Sequence, residues 1–286
     1  MTFPDTILMP ASGALERVAP GVRRLVAPNA SPLTASGTCT YIVGEGEVAV
    51  IDPGPDDARH LRNLLAATEG EKVGAILVTH GHADHIGLVA KFARASGAPV
   101  LGAGPPHPQS RMSYAPDQAL GDGEVFKAGG HAFTALATPG HAPDHLCFIL
   151  EGADILFSGD HVMAWSTTVV APPDGAMGPY LASLERLCVR PEAQYWPGHG
   201  GAVLEPQRYV GGLIKHRRQR EAAVLARLRE GDDTLEAIAE KVYPDIAPAL
   251  RIAARLSTLA HLEHLIERGL ARAEGDLREG GRVVAV

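Results

Sequence analysis

Residues 80–85 read HGHADH, three imidazoles and one carboxylate within six positions. With 13 histidines in the chain, this pattern would arise by shuffling with odds of roughly one in a thousand. Its spacing suits metal chemistry. In an extended loop, residues two apart point the same way, so His80 and His82 can close on one ion, while a turn at Ala83 sends Asp84 and His85 toward a neighbouring one. Imidazoles and carboxylates without a thiolate suit Zn first, with Fe or Mn as weaker fits. Asp84 also stands where a side chain would cap the helix expected to begin near Ile86.

Three further polar stretches share this setting: TPGHAPDH at 138–145, SGDH at 158–161 and PGHG at 197–200. Each follows an apolar strand-like run, and open α/β sheets gather their sites at the carboxyl ends of strands. A lone histidine is ordinarily solvated or hydrogen-bonded within a core. His141, Asp160 and His199 therefore become candidates through the repeated Gly-flanked context. His60, His107, His131, His216, His261 and His264 lack that context and read as ordinary residues.

The elements that must carry these loops are legible in outline. TCTYIVG and EVAVIDPG predict a hairpin about Gly44-Glu45-Gly46, closed by Asp52-Pro53-Gly54. Residues 56–68 have helical spacing, and KVGAILV reads as a buried strand. IGLVAKFARAS predicts a short helix ended by Gly97. APVLGA, HAFTALATPG, DHLCFIL, ADILFSG and AQYWPGHG predict further strands, with a helix at PYLASLERL. Beyond about residue 205 the texture becomes Arg, Ala, Leu and Glu at helical spacing, which divides the chain into 1–205 and 206–286.

The whole composition agrees with a globular protein. Of 286 residues, 45% are hydrophobic and 21% charged, close to ordinary averages. No apolar run approaches the ~18 residues of a membrane span, and the first residues lack a basic segment leading into an apolar one. A cytoplasmic protein that does not contact membranes is expected. Cys39, Cys147 and Cys188 form no Cys-x-x-Cys pair and read as small buried hydrophobes. The net charge of -7 argues against a surface-wide grip on nucleic acid, although KHRRQR at 215–220 is locally basic.

Taken together, THGHADHIG, TPGHAPDH, SGD and PGHG resemble the metallo-β-lactamase superfamily in kind and order. The resemblance implies an α/β fold, a four-layer αβ/βα sandwich with a dinuclear metal site at one edge of its two sheets. It also implies that His80, His82 and His141 hold one zinc ion, that Asp84, His85 and His199 hold the second, and that Asp160 bridges them. Asp52 resembles a residue that orients a ligand, although capping the strand-end turn would equally account for it. The second ligand set contains no cysteine, which is unlike the lactamases that use one and similar to the glyoxalase II and nuclease branches. His82 stands where flavodiiron proteins have Glu. The segment from Thr234, with three helical stretches, Gly269 and a final RVVAV, resembles the winged-helix unit of the β-lactamase-like protein 2 type.

The chemistry implied is hydrolysis by a metal-bridging hydroxide, with Asp84 or Asp160 moving the proton. No G-x-S-x-G elbow suggests a serine nucleophile. A small ester, thioester or lactone is the first expected substrate. Single-stranded RNA is the alternative, resting on the tail and on KHRRQR, a run that a solvated helix face also explains. A non-catalytic, metal-stabilised binding module is a third reading. A homodimer is the default assembly.

Overall fold

The computed structural model describes residues 10–104 and 114–286; His107 and the first nine residues lie outside them. Among the described residues, the first sheet has seven strands that run in sequence order. They are β1 (Leu15–Ala19), β2 (Val22–Val26), β3 (Cys39–Glu45), β4 (Glu47–Ile51), β5 (Lys72–Leu77), β6 (Val100–Gly102) and β7 (Gln118–Ala119). The helices α1 (Ala58–Ala67), α2 (Ala83–Ile86) and α3 (Val89–Ser96) fall between them. β3 and β4 pair antiparallel with Glu45 opposite Glu47, which is the predicted hairpin. Gly97, at φ 72°, ends α3 as expected.

β1 and β2 were not legible, and their arginines explain why. Arg23 and Arg24 interrupt the apolar alternation of β2, yet neither points freely into solvent. Arg23 pairs with Glu71 at 2.6 Å and Arg24 with Glu16 at 2.7 Å.

The second sheet has the order β12-β11-β10-β9-β8. Its strands are β8 (Val125–Ala128), β9 (His131–Ala137), β10 (Leu146–Leu150), β11 (Ile155–Gly159) and β12 (Gln194–Pro197), with α4 (Met177–Cys188) between the last two. Alternate residues of both sheets meet in one apolar layer, where Tyr41, Ile51, Phe133, Phe148, Phe157 and Trp196 are buried. Leu64 of α1 and Phe92 of α3 cover the outer face of the first sheet with Ile42, Val50 and Ile76. Tyr180, Leu184 and Leu187 of α4 cover the outer face of the second with Leu136, Ile149 and Leu156. The result is the expected helix–sheet–sheet–helix sandwich.

The remainder comprises α5 (Pro206–Arg229), α6 (Leu235–Val242), α7 (Arg251–Glu267) and the antiparallel pair β13 (Ala271–Glu274) and β14 (Arg282–Ala285). Helix α5 belongs to two cores. Val210 and Leu213 pack into the layer under the second sheet, whereas Val224 and Leu228 pack with Ile238, Leu262 and Val283 of the C-terminal unit. Cys39 and Cys147 are buried as expected, while Cys188 is half-buried: it sits at the C-terminal end of α4, where its thiol donates to the Gln207 carbonyl at 3.5 Å.

Candidate metal centre

Four strands of the two sheets, β5, β9, β11 and β12, end at one edge of the sandwich, and the turns that leave them hold all seven predicted donors. His80, His82, Asp84 and His85 follow β5, His141 follows β9, Asp160 follows β11, and His199 follows β12. His82 Nδ1 lies 2.9 Å from His80 Nε2 and 3.0 Å from His141 Nε2. Asp84 Oδ2 lies 3.2 Å from His199 Nε2 and 3.6 Å from His85 Nε2. Asp160 stands between the two groups: its Oδ1 is 3.5 Å from His85 Nε2, and its Oδ2 is 3.3 Å from His199 Nε2 and 3.6 Å from His141 Nε2. The donors form three overlapping triads, His80–His82–His141, Asp84–His85–His199 and the linking His80–His85–Asp160.

The backbone makes room for this cluster at Gly198. A Cβ there would stand 2.5 Å from Asp160 Oδ1 and 2.7 Å from His85 Cε1.

Asp52 sets the orientation of two imidazoles. Its Oδ2 accepts from His85 Nδ1 at 2.8 Å and from the Thr79 hydroxyl at 2.7 Å. That hydroxyl oxygen in turn accepts from His80 Nδ1 at 3.0 Å. Because Thr79 donates its one proton to Asp52, the network places a proton on Nδ1 of both rings and turns both Nε2 atoms toward the cluster. Asp52 Oδ1 accepts from the Thr79 backbone N–H at 2.8 Å, so its carboxylate ties the end of β4 to the residue that leaves β5 and orients candidate ligands, while no bond from it caps its own strand-end turn among the described residues. It adopts φ 50°, a conformation disfavoured for a non-glycine residue and often found at functional sites. His141 Nδ1 similarly donates to the Val169 carbonyl at 2.8 Å, which turns its Nε2 inward.

One expectation fails. The residue flanking α2 is His82 rather than Asp84, and it makes no side-chain capping bond. Asp84 lies inside the first turn, where its carboxylate faces His85 and His199 instead of the free N–H groups of its own helix.

The electrostatics divide the cluster. Burial, reinforced by neighbouring imidazoles, pushes His80 well below the usual histidine range and lowers His141 to about 4. His85 is also subject to burial, but Asp84, Asp160 and Asp52 outweigh it and raise its pKa; Asp160 and Asp84 likewise raise His199 to about 9. Burial opposes ionisation of Asp160, yet His199 and His85 hold its carboxyl well below the usual carboxylate range. His80, His85 and His199 are buried, whereas the Asp84 side chain is 30% exposed. The cluster therefore opens to solvent on the His82–Asp84 side.

The donor set fits divalent cations. Buried His85 Nε2 and Asp160 Oδ1 have no hydrogen-bond partner, although a buried polar atom is costly to leave unmet. Inward-facing nitrogens 2.9–3.0 Å apart are close to the separation of ligands around an ion with bonds of about 2 Å.

His145 and His161 were not singled out in the sequence. His145 Nε2 accepts from the Asp160 backbone N–H at 3.1 Å, and its Nδ1 meets the Thr138 hydroxyl at 2.8 Å. His161 is fully buried beside Tyr180, ring centroids 4.6 Å apart. The available signal was a second histidine four residues after His141 and a histidine directly after Asp160. Among the histidines set aside, His60 is a buried residue whose Nε2 meets the Thr40 hydroxyl at 3.1 Å.

The basic run at 215–220 is not a free cationic face. Arg217 is buried, its guanidinium donating to the Thr168 carbonyl and lying 5.3 Å from the Tyr180 ring centre. Arg218 pairs with Glu185, and Arg220 donates to the Val242 carbonyl.

Comparison with known proteins agrees with this geometry. Residues 34–199 match the family model described as the metallo-beta-lactamase superfamily. The chain belongs to the metallo-β-lactamase superfamily. Within this superfamily member, residues 234–282 match the beta-lactamase associated winged helix domain. The chain is 34% identical to the lactamase-like protein adaB of Aspergillus niger, over 77% of this chain and 68% of that one. It is 32% identical to an atrochrysone carboxyl ACP thioesterase of Aspergillus chevalieri, over 82% of this chain and 77% of the other. A metallo-beta-lactamase family protein from Thermus thermophilus superposes with a TM-score of 0.79 at 26% identity, covering 94% of this chain and all of that one. A beta-lactamase domain protein from Burkholderia ambifaria has the same fold, with a TM-score of 0.83 at 21% identity over 99% of this chain and 97% of that one.

Proposed function

We propose that this superfamily member is a dinuclear zinc hydrolase that cleaves a thioester, with small esters and lactones as secondary substrates. The observation that carries the reading is the convergence of seven His and Asp donors, drawn from four strand ends, in two groups that share Asp160. A single structural zinc needs only four ligands. The relatives named as thioesterases support thioesters over the other acyl compounds.

In this reading His80, His82 and His141 would hold one cation, Asp84, His85 and His199 the other, and Asp160 both. When bound, such a pair supplies activated water near neutral pH and positive charge for a developing oxyanion. Asp52 fixes the orientations of His80 and His85 before any ion arrives. Substrate approaches from the side where Asp84 is partly exposed, and of the two carboxylates Asp84 is the one in reach of solvent to move the proton. Asp160 is enclosed by histidines and serves to hold charge. Burial excludes Cys39 and Cys147 as nucleophiles, raising their thiols to about 11 and about 12, and Cys188 lies away from the cluster at the C-terminal end of α4.

The test is side-by-side hydrolysis of an acyl thioester, a lactone and single-stranded RNA by the purified protein. Thioester cleavage that is abolished by a chelator and insensitive to salt supports the reading. RNA cleavage with steep salt dependence and no thioester turnover would replace it with a nuclease.

A further inference from the structure

A buried arginine of α5 reaches toward the metal centre without touching a donor. Arg217 is 2% exposed. Its guanidinium donates to the Thr168 carbonyl and lies 5.3 Å from the centre of the Tyr180 ring. The segment it grips serves two candidate ligands. The Thr168 hydroxyl donates to the Asp160 carbonyl at 2.7 Å, and the next carbonyl, of Val169, accepts from His141 Nδ1 at 2.8 Å. Tyr180 reinforces the same loop, its hydroxyl donating to the His161 carbonyl at 3.1 Å. Tyr180 also packs on the turn that carries His141: a Cβ on Gly140 would come within 2.3 Å of the Tyr180 Cα.

We propose, resting on the dinuclear reading above, that Arg217 is a positioning residue of the metal centre, holding residues 168–169 so that His141 and Asp160 keep their places. Two physical points favour this over plain packing. A buried guanidinium is expensive to desolvate, and its Nε has no partner, so an aliphatic side chain would fill the space at lower cost. Among charged groups, only a flat, permanently cationic one can both donate to a carbonyl and stack on an aromatic ring.

Arg217 also stands one helical turn before Glu221 on α5. Glu221 binds His264 and Arg268 from α7 and the end of that helix. One face of α5 thus joins the C-terminal unit to the loop behind the candidate ligands.

The experiment measures zinc affinity and the visible spectrum of the cobalt-substituted full chain for wild type, Arg217→Lys and Arg217→Met. Val224→Ala, which opens the C-terminal core away from this loop, controls for general destabilisation. All are assayed at a temperature where circular dichroism shows each to be folded. Both Arg217 variants should lose affinity for one cation by about 10- to 100-fold, the range for groups that orient metal ligands, with an altered cobalt spectrum, while Val224→Ala keeps the wild-type values. Wild-type affinity and spectrum in both Arg217 variants would overturn the positioning role and leave the dinuclear reading intact. A wild-type chain that binds no metal would overturn both. Thr168→Ala, which removes the hydroxyl bonds to the Asp160 and His161 carbonyls and leaves the Thr168 carbonyl in place for Arg217, guards against misfolding: it should alter the cobalt spectrum in the same direction, and an unchanged spectrum counts against the proposal.

Discussion

Removing the His82 imidazole or the Asp160 carboxylate takes a donor from a cluster in which every inward atom faces another. His82→Ala and Asp160→Ala are therefore expected to abolish turnover while the chain remains folded, as read by activity and circular dichroism on the same samples. Asp52→Asn is a subtler probe. An amide can keep the shape but cannot accept from Thr79 and His85 together on one charged oxygen, so zinc affinity should fall about 10- to 100-fold. Gly198→Ala tests the space itself, because the added methyl would fall among Asp160 and His85. Its expected outcome is reduced bound metal per chain with an unchanged far-ultraviolet spectrum.

At the scale of elements, Glu221 ties α5 to α7. Burial would raise its pKa, but the neighbouring His261 and His264 imidazoles prevail and lower it to about 2. A depressed carboxylate stabilises the fold above its ordinary value near 4.5 and loses that contribution as pH falls toward 2. In chelator-treated protein, Glu221→Gln should cost about 1–3 kcal/mol at pH 7, and the gap from wild type should narrow as the pH is taken below that ordinary value. Thermal melts at several pH values check this. The elements legible in the sequence were those whose strands are apolar along most of their length, such as β5, β10 and β11, and those closed by Gly or Pro. β1 and β2 escaped because a strand whose arginines are paired across the fold does not show an apolar alternation. The candidate donors were legible because the run at 80–85 is dense in His and Asp and because His141, Asp160 and His199 each lie beside a Gly at a strand end. Arg217 was not: in sequence it belongs to a basic run, and only packing shows that it points inward. Asp84 does stand among the other candidate donors, but its helix-capping role was misread, since local spacing cannot show the pull of His199, more than a hundred residues away.

Across the whole molecule, two sheets bring distant strand ends to one edge while α5 fastens the C-terminal unit beneath the second sheet. No helix among the described residues is long and apolar enough to cross a membrane. Cutting the chain at residue 205 would remove Val210 and Leu213 from the core under β10 and β11. At about 1.5–3 kcal/mol for each such side chain, the shortened chain should melt well below the full one, which a thermal scan would register. The most direct measurement for the whole account is the metal content of the purified chain, taken as it is stripped and reloaded while thioester hydrolysis is followed. The account predicts about two zinc ions per chain, with activity lost on stripping and fully restored only when the second equivalent is returned. Full hydrolysis by the metal-free chain, or full activity with a single ion, would contradict it.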